Sequence, residues 1–237
     1  MFVPCEESVS DLTGFTLLMP AVSIENVGQL AIDLIISTLN MSKIGYDYTH
    51  RLVPKIRNNP YATGEENSTE LSINAEVYSL SARKLVTLEL RFIFIKYKTK
   101  PFCKILLSWV KGSSCARVMV LSSNHSYQHN DLQLCSIPFR YLLTPSRQKK
   151  NVQNKMKRLN WEKCITKALY KESCSKEIQM AALSKFVSEG DNIPDALGLV
   201  ECLNEWLQII KPHSEDPTKT PSSWRLLFGS GLPPALF

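Results

Sequence analysis

His125 and His129 stand four residues apart with Asp131 close behind, residue types that serve as metal ligands or as a proton relay when they converge. They fall in a Ser/Asn-rich stretch that reads as a loop. Two imidazoles without a nucleophile or a third ligand define no reaction class, so solvated loop residues are the expectation. The turn Ser23-Ile24-Glu25-Asn26-Val27-Gly28 lies between an apolar run and a helical pattern, where free N–H groups attract anions. Glu25 would repel a phosphate, and neither a GxGxxG run nor a Walker lysine is present. Asn26 is therefore read as a helix cap and Gly28 as a packing glycine. The seven cysteines (Cys5, Cys103, Cys115, Cys135, Cys164, Cys174, Cys202) are scattered, with no CxxC pair, no zinc spacing and no adjacent base. No Gly-x-Ser-x-Gly elbow occurs either. Local spacing supports no named reaction, and no metal or cofactor is expected.

The elements that would position such groups follow from hydrophobic period. Phe15 to Val22 reads as a strand, and Val27, Leu30, Ala31, Leu34, Ile35 and Leu39 as one face of a helix. Ile44 to Tyr48 and Leu52 to Ile56 are short strand candidates. Alternation through Leu71, Ile73, Ala75 and Val77, and again around Leu85 to Glu89, predicts a hairpin joined by 79–84. Phe92 to Ile95, a helix over 101–111 opened by Pro101, and a buried strand Ala116 to Leu121 make a βαβ unit, which implies a parallel sheet. Phe139 to Leu143 reads as a strand ending at Pro145, followed by a basic helix to about Leu159. Ile178, Ala181, Ala182, Phe186 and Val187 read as one face of a helix ended by Gly190-Asp191-Asn192. A last helix carries Ala196, Leu199, Val200, Leu203, Trp206, Leu207 and Ile210. The fold class is α/β: a single three-layer sandwich with a mostly parallel mixed sheet flanked by helices.

The 237 residues, 44% apolar and 21% charged, suit one sizeable α/β domain, here 1–211, followed by a Pro/Ser-rich tail, 212–237. The net charge of +6 is concentrated: Arg147 to Lys176 holds ten basic residues against Glu162 and Glu172. Lys150, Lys157 and Arg158 alternate with Val152, Met156 and Leu159 as on an amphipathic helix, and no nucleic-acid module accompanies them, so no nucleic-acid partner is expected. The N-terminus lacks the pattern of a secretory signal, and the apolar runs 30–39 and 88–95 are short and interrupted by charge, so no membrane span is expected. In the tail, Trp224, Leu226, Leu227 and Phe228 are costly to leave in water, which predicts packing on the domain or on a partner. The end, Gly231-Leu232-Pro233-Pro234-Ala235-Leu236-Phe237, has a stiff stem, large apolar side chains and a carboxylate, a shape suited to a pocket lined by a lysine.

Four blocks carry a resemblance: 26–31 (Asn-Val-Gly-Gln-Leu-Ala), 58–63 (Asn-Asn-Pro-Tyr-Ala-Thr), 189–196 (Glu-Gly-Asp-Asn-Ile-Pro-Asp-Ala) and 226–234 (Leu-Leu-Phe-Gly-Ser-Gly-Leu-Pro-Pro). They closely resemble the proteasome assembly chaperone 2 family, and the similarity runs from Met1 to Phe237. The resemblance implies a nucleoside-phosphorylase-like α/β sandwich without that chemistry. It implies a non-enzymatic chaperone of cytoplasm and nucleus, paired with proteasome assembly chaperone 1 as a heterodimer. This pair would sit on the proteasome α-subunits of the 20S core particle, promote α-ring assembly and prevent aberrant α-ring dimers. It also implies that this chain is shortened and divergent. An acidic loop, a strand and a Gly-rich turn of the family are missing after Lys163, a shorter gap falls between Pro217 and Pro221, and Glu25 stands for a family glycine. Related chaperones dock through a C-terminal hydrophobic-tyrosine-any motif whose carboxylate meets a lysine between α-subunits. Here those positions are Ala235, Leu236 and Phe237, so Leu236 keeps bulk but lacks the phenol hydroxyl.

Two other classes remain as alternatives from the residues. A phosphorylase or hydrolase relative requires arginines or histidines converging on one concavity, and a polyanion binder through Arg147 to Lys176 requires steep salt dependence.

Overall fold

The computed structural model describes residues 2–5, 11–47, 50–54, 56–62, 69–91, 94–95, 97–126, 138–148, 157–158, 165–210 and 218–224. Its elements are β1 Phe2–Pro4, β2 Thr16–Pro20, α1 Val27–Leu39, β3 Ser42–Asp47, β4 Ile56–Asn58, β5 Leu71–Ile73, β6 Ala75–Leu80, β7 Leu85–Leu90 and α2 Thr99–Gly112. There follow β8 Arg117–His125, β9 Phe139–Leu143, α3 Pro145–Gln148, β10 Lys157–Arg158, α4 Ile165–Ser175, β11 Met180–Val187 and α5 Ile193–Leu207. Nine strands form one mixed sheet in the order β1-β3-β6-β7-β2-β8-β11-β9-β10, and β4 and β5 form a separate antiparallel pair.

The centre of the sheet is parallel: β7, β2, β8 and β11 run together. One flank, β1-β3-β6-β7, is antiparallel, as is the β9–β11 pair on the other. All residues of β2 and β7 are buried, because helices cover both faces. Alternate residues then serve two separate cores. Leu17, Met19, Val86, Leu88, Val118, Val120, Met180 and Ala182 pack toward α2 and α4. Leu18, Leu85, Met119, Leu121, Ala181 and Leu183 pack toward α1 and α5. This is the three-layer sandwich that the sequence predicts.

Five local expectations are corrected. The strand read through Leu71, Ile73, Ala75 and Val77 is divided: Leu71–Ile73 is β5, paired with β4 in the separate sheet, while Ala75–Leu80 is β6, which takes in 79 and 80 of the expected connection because they pair with Val86 and Leu85 of β7. The segment read as a helix around Ala181 to Val187 is β11, a strand held between β8 and β9. Its run from Met180 to Leu183 is apolar at every position because both faces are buried, so the period of two is erased. The basic helix to Leu159 does not run through: Lys157–Arg158 is a strand paired in parallel with β9. Apart from the single turn of α3, the described helix of the basic segment is α4, with Ile165, Thr166, Leu169 and Ser173 buried. Leu52 and Phe94, each expected in a strand, meet in an isolated bridge instead. Residues 159–164, where the resemblance implies a lost strand, lie outside the described residues.

Candidate functional site

The turn between β2 and α1 is where anion chemistry was conceivable, and the structure closes it with its own side chains. Ser123 of β8 donates its backbone N–H to the Ser23 hydroxyl at 3.1 Å, the two hydroxyls lie 2.9 Å apart, and the Ser123 hydroxyl donates to the Ile24 carbonyl. Gly28 packs as expected: a Cβ there would stand 2.5 Å from the Leu121 carbonyl oxygen. The Asn26 cap is corrected. Glu25 and Asn26 both have left-handed backbone, φ 52° and 55°, and the Asn26 side chain makes no capping bond. Glycine adopts such a backbone freely, which gives a physical reason for the glycine implied at position 25.

His125 is the last residue of β8 rather than a loop residue, and His129 and Asp131 lie outside the described residues. Among the described residues no cluster of three or more His, Cys, Asp or Glu could hold a metal ion. Burial pushes the Cys115 thiol up to about 11, and burial with Glu205 nearby pushes Cys202 up to about 12, so both stay protonated and unreactive at neutral pH. One cleft is lined by Phe2, Asp47, Val77, Leu88, Ile105, Leu106 and Trp109. A second is lined by Phe2, Asp11, Leu12, Thr13, Trp109 and Gly112 to Ser114. Neither has an arginine or histidine in its wall, so neither supports the phosphate-pocket reading.

The strongest electrostatic feature is one that the sequence reading missed. Glu76 of β6 and Glu89 of β7 are directly opposite in register and each only 1% exposed. Like charges so placed repel, and burial removes the water that would screen them. The compensating cations come from three segments. Arg91, two residues beyond Glu89 on the same face, lies against the Glu89 carboxylate and donates to Asp33 of α1 at 2.9 Å. Arg57 of β4 reaches Glu89 at 3.4 Å, and Lys43 of β3 stands 3.9 Å from Glu76. Glu76 accepts from the hydroxyls of Ser72 on β5 at 2.7 Å and Tyr78 at 2.9 Å, and the Tyr61 hydroxyl donates to Asp33 at 2.8 Å. Burial pushes the Asp33 carboxyl up to about 7, against the lowering pull of the Tyr61 hydroxyl and Arg57. The signal was present in the sequence as Glu76 and Glu89 within strand-like apolar runs. A period alone does not say that both faces of those strands are covered.

This network clamps the β4–β5 pair onto the domain. Arg57 and Ser72 are cross-strand partners and point inward to the two glutamates. The alternate residues therefore face outward. Ile56 is 65% exposed and Leu71 58%. Two exposed apolar side chains, Ile56 and Leu71, thus share a small sheet whose other face is fixed by ions.

The tail returns to this same place. Lys219 donates its N–H to the Thr38 hydroxyl at the end of α1, and the Ser222 hydroxyl and the Ser223 N–H both donate to the Pro60 carbonyl, at 2.9 and 3.2 Å. Trp224, 6% exposed, belongs to the core between the sheet, α1 and α5. The expectation that part of the tail packs on the domain therefore holds for its first apolar anchor. Leu226, Leu227, Phe228 and the end Ala235, Leu236 and Phe237 lie outside the described residues.

Comparison with known proteins adds a lineage to this geometry. A model of the PAC2 family matches residues 17–215. The human protein named proteasome assembly chaperone 2 is 72% identical over 265 positions, covering all of this chain and all of the relative. The alignment is about 28 positions longer than the 237 residues here, which agrees with a shortened chain. The Xenopus laevis protein of the same name is 49% identical, again over all of both chains. Among solved structures, Pyrococcus furiosus PbaA, described as an archaeal homolog of proteasome-assembly chaperone, superimposes with a TM-score of 0.65 at 14% identity. That match covers 89% of this chain and 87% of the other, and it shows a shared fold.

Proposed function

Since this chain belongs to the PAC2 family, we propose that it is a non-enzymatic proteasome assembly chaperone acting as a heterodimer with proteasome assembly chaperone 1. In this reading the pair binds proteasome α-subunits, promotes formation of the 20S α-ring and prevents aberrant ring dimers, in cytoplasm and nucleus. Residues 1–211 supply the rigid body and 212–237 the tail, whose end, Ala235, Leu236 and Phe237, enters a pocket between α-subunits with its carboxylate toward a lysine. The observation that carries the reading is the identity with the human chaperone over the whole of both chains.

The test is a deletion of Ala235 to Phe237 followed by measurement of binding to isolated α-subunits. Weakened binding, by about tenfold for one buried aromatic and a charge-assisted contact, is expected. Unchanged binding removes the tail from the mechanism. Restoring tyrosine with Leu236→Tyr is expected to tighten binding, since the phenol adds a donor that leucine lacks.

A further inference from the structure

Tyr97 is the most exposed of the large hydrophobic residues described, at 84%, and it holds a left-handed backbone, φ 66°. The Lys98 N–H donates to the Ile95 carbonyl at 2.9 Å, which places Tyr97 in the tight turn that opens α2. Glycine or asparagine ordinarily fills a left-handed turn position. An aromatic ring displayed from one is a local cost, and such costs cluster at functional positions.

The solvent face of α2 is basic. Lys100, Lys104 and Lys111 recur at helical spacing, within about 40° of one another around the axis, and all three are exposed. Lys98 before them is exposed too, and α2 contains no acidic residue. Helical side chains lean toward the N-terminus, so Lys100 and Lys104 reach back toward the turn that holds Tyr97. Ile95, 37% exposed, and Ile105, 41%, add apolar surface at the same end.

The two helical layers carry opposite charge. α2 and α4 hold Lys100, Lys104, Lys111, Lys167 and Lys171 against Glu172, five lysines to one acid and a net +4. α1 and α5 hold Asp33, Asp195, Glu201 and Glu205 with no lysine or arginine, a net −4. A molecule polarised in this way is oriented by a charged partner before contact, and it turns the layer with Tyr97 toward an acidic surface. Two features favour a protein partner over a nucleic acid. The cations of this face are all lysine, without the arginine fork that matches phosphate, and they accompany exposed apolar groups, as the polar rim of a protein interface accompanies its core.

We propose that Tyr97 and the lysine face of α2 form a docking surface for an acidic surface of a partner protein, with Tyr97 entering an apolar socket rimmed by carboxylates. Under the chaperone reading, on which the choice of partner rests, that surface belongs to a proteasome α-subunit. A second contact besides the tail end fixes the domain's orientation, which one point of attachment leaves free.

Binding of the full chain, co-expressed with chaperone 1, to isolated α-subunits tests this. Tyr97→Gly suits the left-handed backbone and removes the ring, so it is expected to weaken binding about tenfold or more while the unfolding midpoint stays level or rises. Lys100→Glu combined with Lys104→Glu is expected to weaken binding about tenfold at low salt, the difference shrinking as salt is raised. Glu201→Lys combined with Glu205→Lys, on the opposite layer, is the control and is expected to leave binding within about twofold of the parent. Unchanged binding by Tyr97→Gly or by the lysine pair overturns the proposal and leaves the chaperone reading in place. A parent protein that binds no α-subunit overturns the chaperone reading and, with it, the partner assigned here. Variants that lose chaperone 1 in size exclusion assign the face to the heterodimer, and variants that lose only a fluorescent DNA duplex assign it to nucleic acid. Either result also overturns the proposal.

Discussion

Glu25 and Asp33 are single residues on which the backbone and the dielectric act with unusual force. Left-handed backbone costs a non-glycine residue about 1 kcal/mol, and Glu25 adopts it at φ 52°. Glu25→Gly is therefore expected to stabilise the fold by up to about 1 kcal/mol in urea denaturation, the gain being reduced by glycine's greater freedom when unfolded. A loss of stability would show that the Glu25 side chain holds the turn. Asp33 shares Arg91 with Glu89, and burial raises its carboxyl from 3.8 to about 7. The native state thus binds the proton more tightly than the unfolded chain. The contribution to stability is complete below 3.8 and is lost as pH rises through about 7. Subtracting the Asp33→Asn stability curve from that of the parent protein should leave a fall across this window, and a flat difference would contradict the burial argument.

Among the elements, β11 and the tail anchor show what packing adds to pattern. Met180 to Leu183 reads as helix or strand with equal right while its neighbours are unknown. Pairing with β8 on one edge and β9 on the other decides it. The β4–β5 pair is too short to persist alone, and Arg57 and Ser72 attach it to two buried glutamates. The tail is held at this pair by one buried indole and two bonds to Pro60. Trp224→Ala is expected to cost about 3 kcal/mol if the cavity stays open. It should also release residues 218–224, readable as new protease cleavage there at temperatures where the domain remains folded. Cleavage that appears only with global unfolding would mean that the tail adds nothing separable.

For the whole molecule, the described residues of this PAC2-family chain hold a parallel sheet centre and a helical layer on each face, although the chain is shorter than its relatives. Co-expression with chaperone 1 is accordingly expected to yield a single complex of about one-to-one composition in size exclusion. Separate elution would remove the heterodimer from the proposed function. The α/β class, α1, β7, α2, β9 and α5 were legible because each is long or strongly periodic and bounded by turn residues, whereas the hairpin's first strand was read to start at Leu71 and in fact starts at Ala75. So was the apolar burden of the tail, since tryptophan is costly in water wherever the chain runs. Sequence by itself determined these local preferences and, through long identical blocks, the family. Tertiary structure alone decided that β11 is a strand, that Ser123 closes the turn 100 residues before it, and that Glu76, Glu89, Asp33, Arg91 and Arg57 meet. The physical reason is the same in each case. Burial on both faces and ion pairing between distant segments depend on which neighbours arrive, and period along a chain carries no record of them.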